Sequence, residues 1–109
     1  MDDDQNPFNP LLLILSGMTL GFVIFYRVRE LSPKELEDSK KKWQDFKEKK
    51  WPKGIKLVGE YDHAFGIGYN GFFIVEADDY DAFIKFYDSF RDHTRWYVTE
   101  TRTITGVKE

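Results

Sequence analysis

The stretch MTLGFVIFYRV, residues 18–28, decides how the rest of the chain is read. As a strand it sends Met18, Leu20, Phe22, Ile24, Tyr26 and Val28 to one side and Thr19, Gly21, Val23, Phe25 and Arg27 to the other. Aromatic and β-branched residues at period two mark β structure. Both sides carry apolar residues. A strand with one wet face shows polar residues there, so the second face is expected to be covered as well.

The competing reading joins residues 11–26, LLLILSGMTLGFVIFY, into a membrane anchor that tethers a small accessory subunit. The run is sixteen residues long and is broken by Ser16, Gly17, Thr19 and Gly21. A spanning helix needs about 20 apolar residues. Arg27 and Arg29 would suit the cytoplasmic flank of such an anchor. A secretory signal opens on positive charge, whereas this chain opens on Asp2, Asp3 and Asp4. In the strand reading, residues 1–17 are a polar tail followed by an apolar arm or extra strand. Met18 is then an alternative start, with residues 1–17 an extension in front of it.

Working outward, Ser32-Pro33-Lys34-Glu35 predicts a helix start. Ser32 can cap, Pro33 suits the first helical position, and Glu35 completes a capping box. Leu36, Ser39, Trp43, Phe46 and Lys50 follow along one stripe, and Pro52 and Gly54 stop the helix. Residues 55–63 alternate Ile55, Leu57, Gly59, Tyr61 and His63 against Lys56, Val58, Glu60 and Asp62, which predicts a second strand. Residues 64–70 form a glycine-containing hairpin loop, and residues 69–77 a third strand. Asp78 and Asp79 open a second helix, placing negative charge at its positive end. Its apolar stripe is Tyr80, Phe83, Ile84, Phe86, Tyr87 and Phe90. Residues 96–104 alternate again, with Thr99, Thr101 and Thr103 favouring a strand.

The order is β-α-β-β-α-β, an α+β, ferredoxin-like unit: a four-stranded antiparallel sheet with two helices on one face. The divisions are a tail at 1–17, the domain at 18–105 and a short tail at 106–109. Such a sheet leaves its other face bare. Val23, Phe25, Phe73 and Val75, or their opposite-parity neighbours, would form a patch larger than monomers tolerate. A twofold homodimer hides it.

Composition narrows the function classes. The chain has 109 residues, enough for one domain, and ten Phe, six Tyr and three Trp to fill its core. Asp2, Asp3 and Asp4 aside, the remaining sixteen acids balance sixteen Lys and Arg. A neutral domain argues against nucleic-acid binding, which needs excess cations to displace phosphate counterions. The fold order is shared with RNA-recognition domains. Here, however, Asn70, Phe73, Ile74 and Ala77 stand where those domains need a cation, a small residue and two aromatics. No cysteine is present, which removes disulfides, thiol catalysis and cysteine–zinc sites and suits a cytoplasmic setting. No metal-ligand spacing occurs, and no cofactor is expected.

Two segments carry a family resemblance. Residues 51–61, WPKGIKLVGEY, resemble a P-x-G-V-K-x-L-G passage, and residues 71–79, GFFIVEADD, resemble a G-x-x-x-V-E-A-D-D junction. Both passages occur in small dimeric α/β-barrel proteins related to the GYD-domain, stress-responsive barrel and antibiotic-biosynthesis-monooxygenase-like families. The resemblance covers residues 18–105. It implies two protomers packed sheet against sheet, each with a ligand cavity between its sheet and its helices or loops.

Candidate site residues follow from position. His63 ends strand 2 beside Tyr61 and Asp62, where an imidazole can act as acid or base. The competing view is a hairpin histidine bonded to backbone or water. His93 at the end of helix 2 suits the helix dipole instead. Gly66-Ile67-Gly68-Tyr69-Asn70-Gly71 matches a phosphate-loop pattern, but the loop opens a strand rather than a helix, so a flexible hairpin or lid is the better reading. Tyr26, Tyr61, Tyr69, Tyr97 and Arg95, with Arg27 and Glu100, could line a mixed apolar and polar pocket. The first helix is basic and the second acidic, which suits two solvated faces or a charge-matched contact.

The expected function is binding of a small apolar or aromatic molecule by a homodimer. The enzyme alternative is cofactor-independent monooxygenase or isomerase chemistry with His63 as base and a Tyr or Arg holding an oxyanion.

Overall fold

β1, Leu20–Val28, lies inside the sheet with a neighbour on each side. In this computed structural model, which describes residues 18–109, the strand order is β2-β3-β1-β4 and the three pairings are all antiparallel. The remaining elements are α1 (Pro33–Lys49), β2 (Ile55–Asp62), β3 (Gly71–Ala77), α2 (Tyr80–Thr94) and β4 (Val98–Val107).

An anchor over residues 11–26 would require Leu20 to Tyr26 in a helix, and these residues are strand instead. Residues 11–17, and the proposed tail and arm they belong to, lie outside the described residues. Among the described residues no helix is long and apolar enough to cross a membrane.

Local chemistry starts both helices. Ser32 Oγ accepts from Glu35 N at 3.2 Å, and Glu35 Oε1 accepts from Ser32 N at 3.0 Å. The backbone N–H of Ser32, then Arg29, hold the Glu35 carboxyl below its usual range. α2 is capped by Asp79, whose Oδ1 accepts from Ala82 N at 2.7 Å. His93 leaves its Nδ1 3.1 Å from Ser89 O and packs its ring 4.6 Å from that of Phe46.

Leu20, Phe22 and Ile24 of β1 join Phe73, Val75 and Ala77 of β3 beneath Phe46 of α1 and Phe83, Phe86 and Phe90 of α2. Phe22 stacks on Phe83 with centroids 3.7 Å apart. Fully burying each such ring stabilises the fold by roughly 1.5–3 kcal/mol. The stripe of α2 is narrower than its pattern suggests, because Tyr80 and Ile84 are exposed while Thr94 is buried.

Five boundaries differ from the sequence reading; β1 starts at Leu20 rather than residue 18 and β2 ends at Asp62 rather than residue 63, and the other three have visible causes. β3 starts at Gly71 because Asn70 closes the loop: its N–H donates to Tyr26 O at 2.9 Å and its Oδ1 accepts from Val28 N at 2.6 Å. β4 starts at Val98 because Tyr97 N turns back to Thr94 O at 3.0 Å. It runs past residue 104 into the supposed tail because Gly106 and Val107 pair with Gly21 and Leu20.

The faces also need correction. Val23 pairs with Ile74, and Phe25 with Phe72. The helix-free face is therefore Val23, Phe25, Phe72 and Ile74, while Phe73 and Val75 belong to the core. Ile104, paired with Val23, adds to that open face and is 59 % exposed.

The most consequential departure lies in β2. Ile55 and Leu57 pair with Ala77 and Val75, but the register then shifts, so that Gly59 pairs with Ile74 and Tyr61 with Phe72. Val58 is the extra residue of a β-bulge, which reverses which side each later residue faces. Tyr61 thus leaves the face of Ile55 and Leu57, and Glu60 and Asp62 move to the helix side opposite Phe73 and Gly71.

Candidate functional site

The bulge sets two carboxylates against a cavity between α1 and the sheet. The cavity measures about 210 Å³. Val28, Leu31, Leu36, Trp43, Phe73, Phe90 and Val98 supply its apolar wall, and Tyr26, Tyr97, Ser39, Lys40, Glu60 and Asp62 its polar part. Tyr61 and Phe72 border it and stack on one another with centroids 4.7 Å apart.

Four of these polar groups, Glu60, Ser39, Tyr26 and Asp62, are tied into the fold by hydrogen bonds. Glu60 Oε1 accepts from Trp43 Nε1 at 2.6 Å, and its Oε2 from Lys47 Nζ at 2.8 Å, tying α1 to β2. Ser39 is buried on α1 and returns its hydroxyl to Leu36 O at 2.7 Å. Tyr26 donates to Asp62 Oδ1 at 2.7 Å. Burial first, and the Asp62 carboxylate second, drive the Tyr26 hydroxyl far above its ordinary pKa. Burial alone pushes Tyr97 up to about 12. The Asp62 and Glu60 carboxylates, and Tyr97 once it ionises, all raise the Tyr26 pKa, so the four groups share one electrostatic environment. Both tyrosines are therefore neutral hydrogen-bonding groups at pH 7.

Of the residues singled out from the sequence, Tyr26, Tyr61 and Tyr97 come together here. Tyr69 does not. It lies by Phe25, its hydroxyl donates to Glu100 at 2.8 Å, and the Arg27 guanidinium sits 4.8 Å over its ring. Arg27 also bonds Gly68 O at 3.1 Å and Glu100 at 2.6 Å, so this cluster fastens the β2–β3 loop. Gly66 and Gly68 in that loop have positive φ, which glycine adopts without a Cβ penalty. Arg95 is exposed and pairs with Asp92 at 3.1 Å. His63 is exposed at φ 55 and does not line the cavity.

Sequence reasoning missed Glu60, Asp62 and Trp43 as cavity residues. The one available signal was Gly59, since an isolated glycine within a strand pattern often marks a bulge. Among the described residues, no group of three His, Asp or Glu side chains is placed to hold a metal ion.

No family model and no curated protein matches the chain. Solved structures do. A dabb family protein with a ferredoxin-like fold from Mesorhizobium loti superimposes with a TM-score of 0.61 at 17% identity, over 84% of this chain and 98% of that one. The fold is ferredoxin-like. A dimeric ferredoxin-like protein of unknown function from Thermobifida fusca has a TM-score of 0.54 at 14% identity, covering 84% of this chain and 92% of that one. A dimeric protein of unknown function and ferredoxin-like fold from Bacteroides fragilis has a TM-score of 0.54 at 11% identity, covering 83% and 96%. At such identities the ferredoxin-like likeness speaks for architecture alone, and chemistry must be argued from the cavity.

Proposed function

We propose that this protein is a homodimeric α/β barrel that binds a small, mainly apolar or aromatic molecule between α1 and the sheet. The carrying observation is the cavity, an apolar wall with a few converging polar groups. Its volume of about 210 Å³ is below the usual range of about 300–1,000 Å³, which suits a molecule of one or two rings.

Self-association rests on the open face. Val23, Phe25, Phe72, Ile74 and Ile104 form a contiguous apolar surface with no helix over it. A second copy related by a twofold axis would cover it with its own equivalent. The dimeric state of the neighbours from T. fusca and B. fragilis supports this. We place the chain with the dimeric barrels related to the GYD-domain and monooxygenase-like groups, as a binding protein rather than an enzyme. In this reading His63 moves no proton.

Native mass spectrometry of the purified full chain tests both parts. The expected species is twice the chain mass, carrying a co-purified small molecule or accepting an added aromatic one. A bare monomer that takes up no aromatic compound overturns the reading.

A further inference from the structure

The loop between β2 and β3, His63 to Asn70 with the sequence HAFGIGYN, carries no Lys, Arg, Asp or Glu. Phe65 near its tip is 94 % exposed, more than any other large apolar side chain among the described residues, and Ile67 is 54 % exposed. Scattered exposed apolar residues are ordinary, but a phenyl ring held almost wholly in water on a fastened loop calls for a partner. The loop is fastened. Ala64 N donates to Asn70 O at 3.0 Å across its base, Arg27 holds Gly68 O, and Asn70 is bonded to Tyr26 and Val28. His63, Gly66 and Gly68 all take positive φ, at 55°, 107° and 80°. Glycine does so freely, whereas His63 does so at a steric cost.

Two of these ties come from the open face of the sheet. Arg27 shares the parity of Val23 and Phe25, and the Tyr69 ring packs 6.0 Å from that of Phe25. Phe25 lies 5.4 Å from Phe72, and Phe72 4.7 Å from Tyr61. The aromatic surface of the open face thus runs unbroken to the base of the loop. None of residues 63–70 lines the cavity, so the tip does not cover its own protomer's ligand site. Nor has the loop a cation with which to approach anionic lipid, and Arg27 beside it is bonded to Glu100.

Resting on the open-face dimer proposed above, we infer that Phe65, with Ile67, anchors the contact with a second copy of this chain. A twofold axis through the open face brings each protomer's loop tip to the rim of the other, so the dimer buries two phenyl rings that a monomer leaves in water. A few aromatic anchors of this kind carry most of an interface's affinity. Holding the tip in place within the free protomer lowers the entropy lost on association, which is what the ties from Arg27 and Asn70 contribute.

Sedimentation equilibrium of the full chain, of Phe65→Ser and of Ile67→Ser tests this. Both side chains are exposed, so the circular dichroism of each variant should match the parent's. The dimer dissociation constant should rise at least about tenfold in Phe65→Ser and in the same direction, by less, in Ile67→Ser. A dimer of unchanged affinity in both variants overturns the inference and leaves the open-face dimer standing. A parent that stays monomeric at every concentration overturns the dimer reading and this inference together. Flotation of the parent with phosphatidylglycerol vesicles, lost in Phe65→Ser while the dimer is unchanged, gives the tip to a membrane surface and overturns the inference alone.

Discussion

Tyr26 of β1 reaches across an entire strand to hydrogen-bond Asp62 of β2 at 2.7 Å. β3 lies between the two, and the residue it places at that level is Gly71, paired with Tyr26 on one side and Asp62 on the other. A Cβ on Gly71 would stand 2.8 Å from Tyr26 Cζ and would also crowd the Tyr61 carbonyl. The glycine is thus the gap through which the phenol passes, and the polar corner of the cavity depends on three strands being in register.

Gly71→Ala should therefore destabilise the fold by about 1–3 kcal/mol, the usual cost of overpacking. Urea unfolding measures it. A midpoint equal to the parent's would show that the corner relaxes freely and that Gly71 is no constraint.

Tyr26→Phe removes the hydroxyl and leaves Asp62 to water. Because Asp62 is exposed, the loss should stay near about 0.5–1.5 kcal/mol rather than the larger value for a buried charge. A double-mutant cycle with Asp62→Ala, which removes the acceptor, isolates the pair. A coupling of zero would mean that the bond does not form in solution.

The tyrosines also predict an alkaline limit. Folding raises the Tyr97 pKa from 10.0 to about 12 and moves Tyr26 the same way. A group whose folded pKa is raised contributes stability fully below its unfolded value, and that contribution is lost as pH climbs towards the folded value. Stability should thus decline as pH rises from 10 towards 12. Absorbance at the tyrosinate band should show late-titrating groups, one of which Tyr97→Phe removes. Simultaneous titration of all the tyrosines near 10 in the folded state would contradict the burial described.

Ile104 is 59 % exposed on the open face, so Ile104→Lys should change protomer stability by less than about 0.5 kcal/mol. It should nevertheless weaken the proposed dimer, because a charge enters the apolar face beside Val23. Light scattering across a dilution series reads this directly. An unchanged dimer would place the interface elsewhere.

His63→Ala separates binding from catalysis. The imidazole is exposed and outside the cavity lining, so aromatic binding should change less than about twofold. Any turnover of a phenol-like or lactone-like substrate that disappears in this variant would favour general-base chemistry instead.

The elements were legible where the governing forces are local. Ser32 and Glu35 announce α1 because a capping box is completed within four residues. The two apolar sides of residues 18–28 announce a strand with apolar residues on both faces, since side-chain parity needs no partner. β2 misled at Val58, because a bulge is a property of two paired strands and leaves little trace in one. The predicted pocket was divided for the same reason. Tyr26, Tyr61 and Tyr97 met, while Tyr69 went to the other face with Arg27 and Glu100, and Arg95 stayed with Asp92 on α2.

Periodicity, caps and turn residues by themselves determined the order of strands and helices and the greasy character of both sheet faces, since each acts over a few neighbouring residues. Only the tertiary structure decided that Glu60 and Asp62 face inward and that Tyr26 crosses above Gly71 to meet one of them. That outcome depends on how β1, β3 and β2 slide against one another, a register set by pairs far apart in the chain, such as Leu20 with Ala77 and Tyr26 with Gly71.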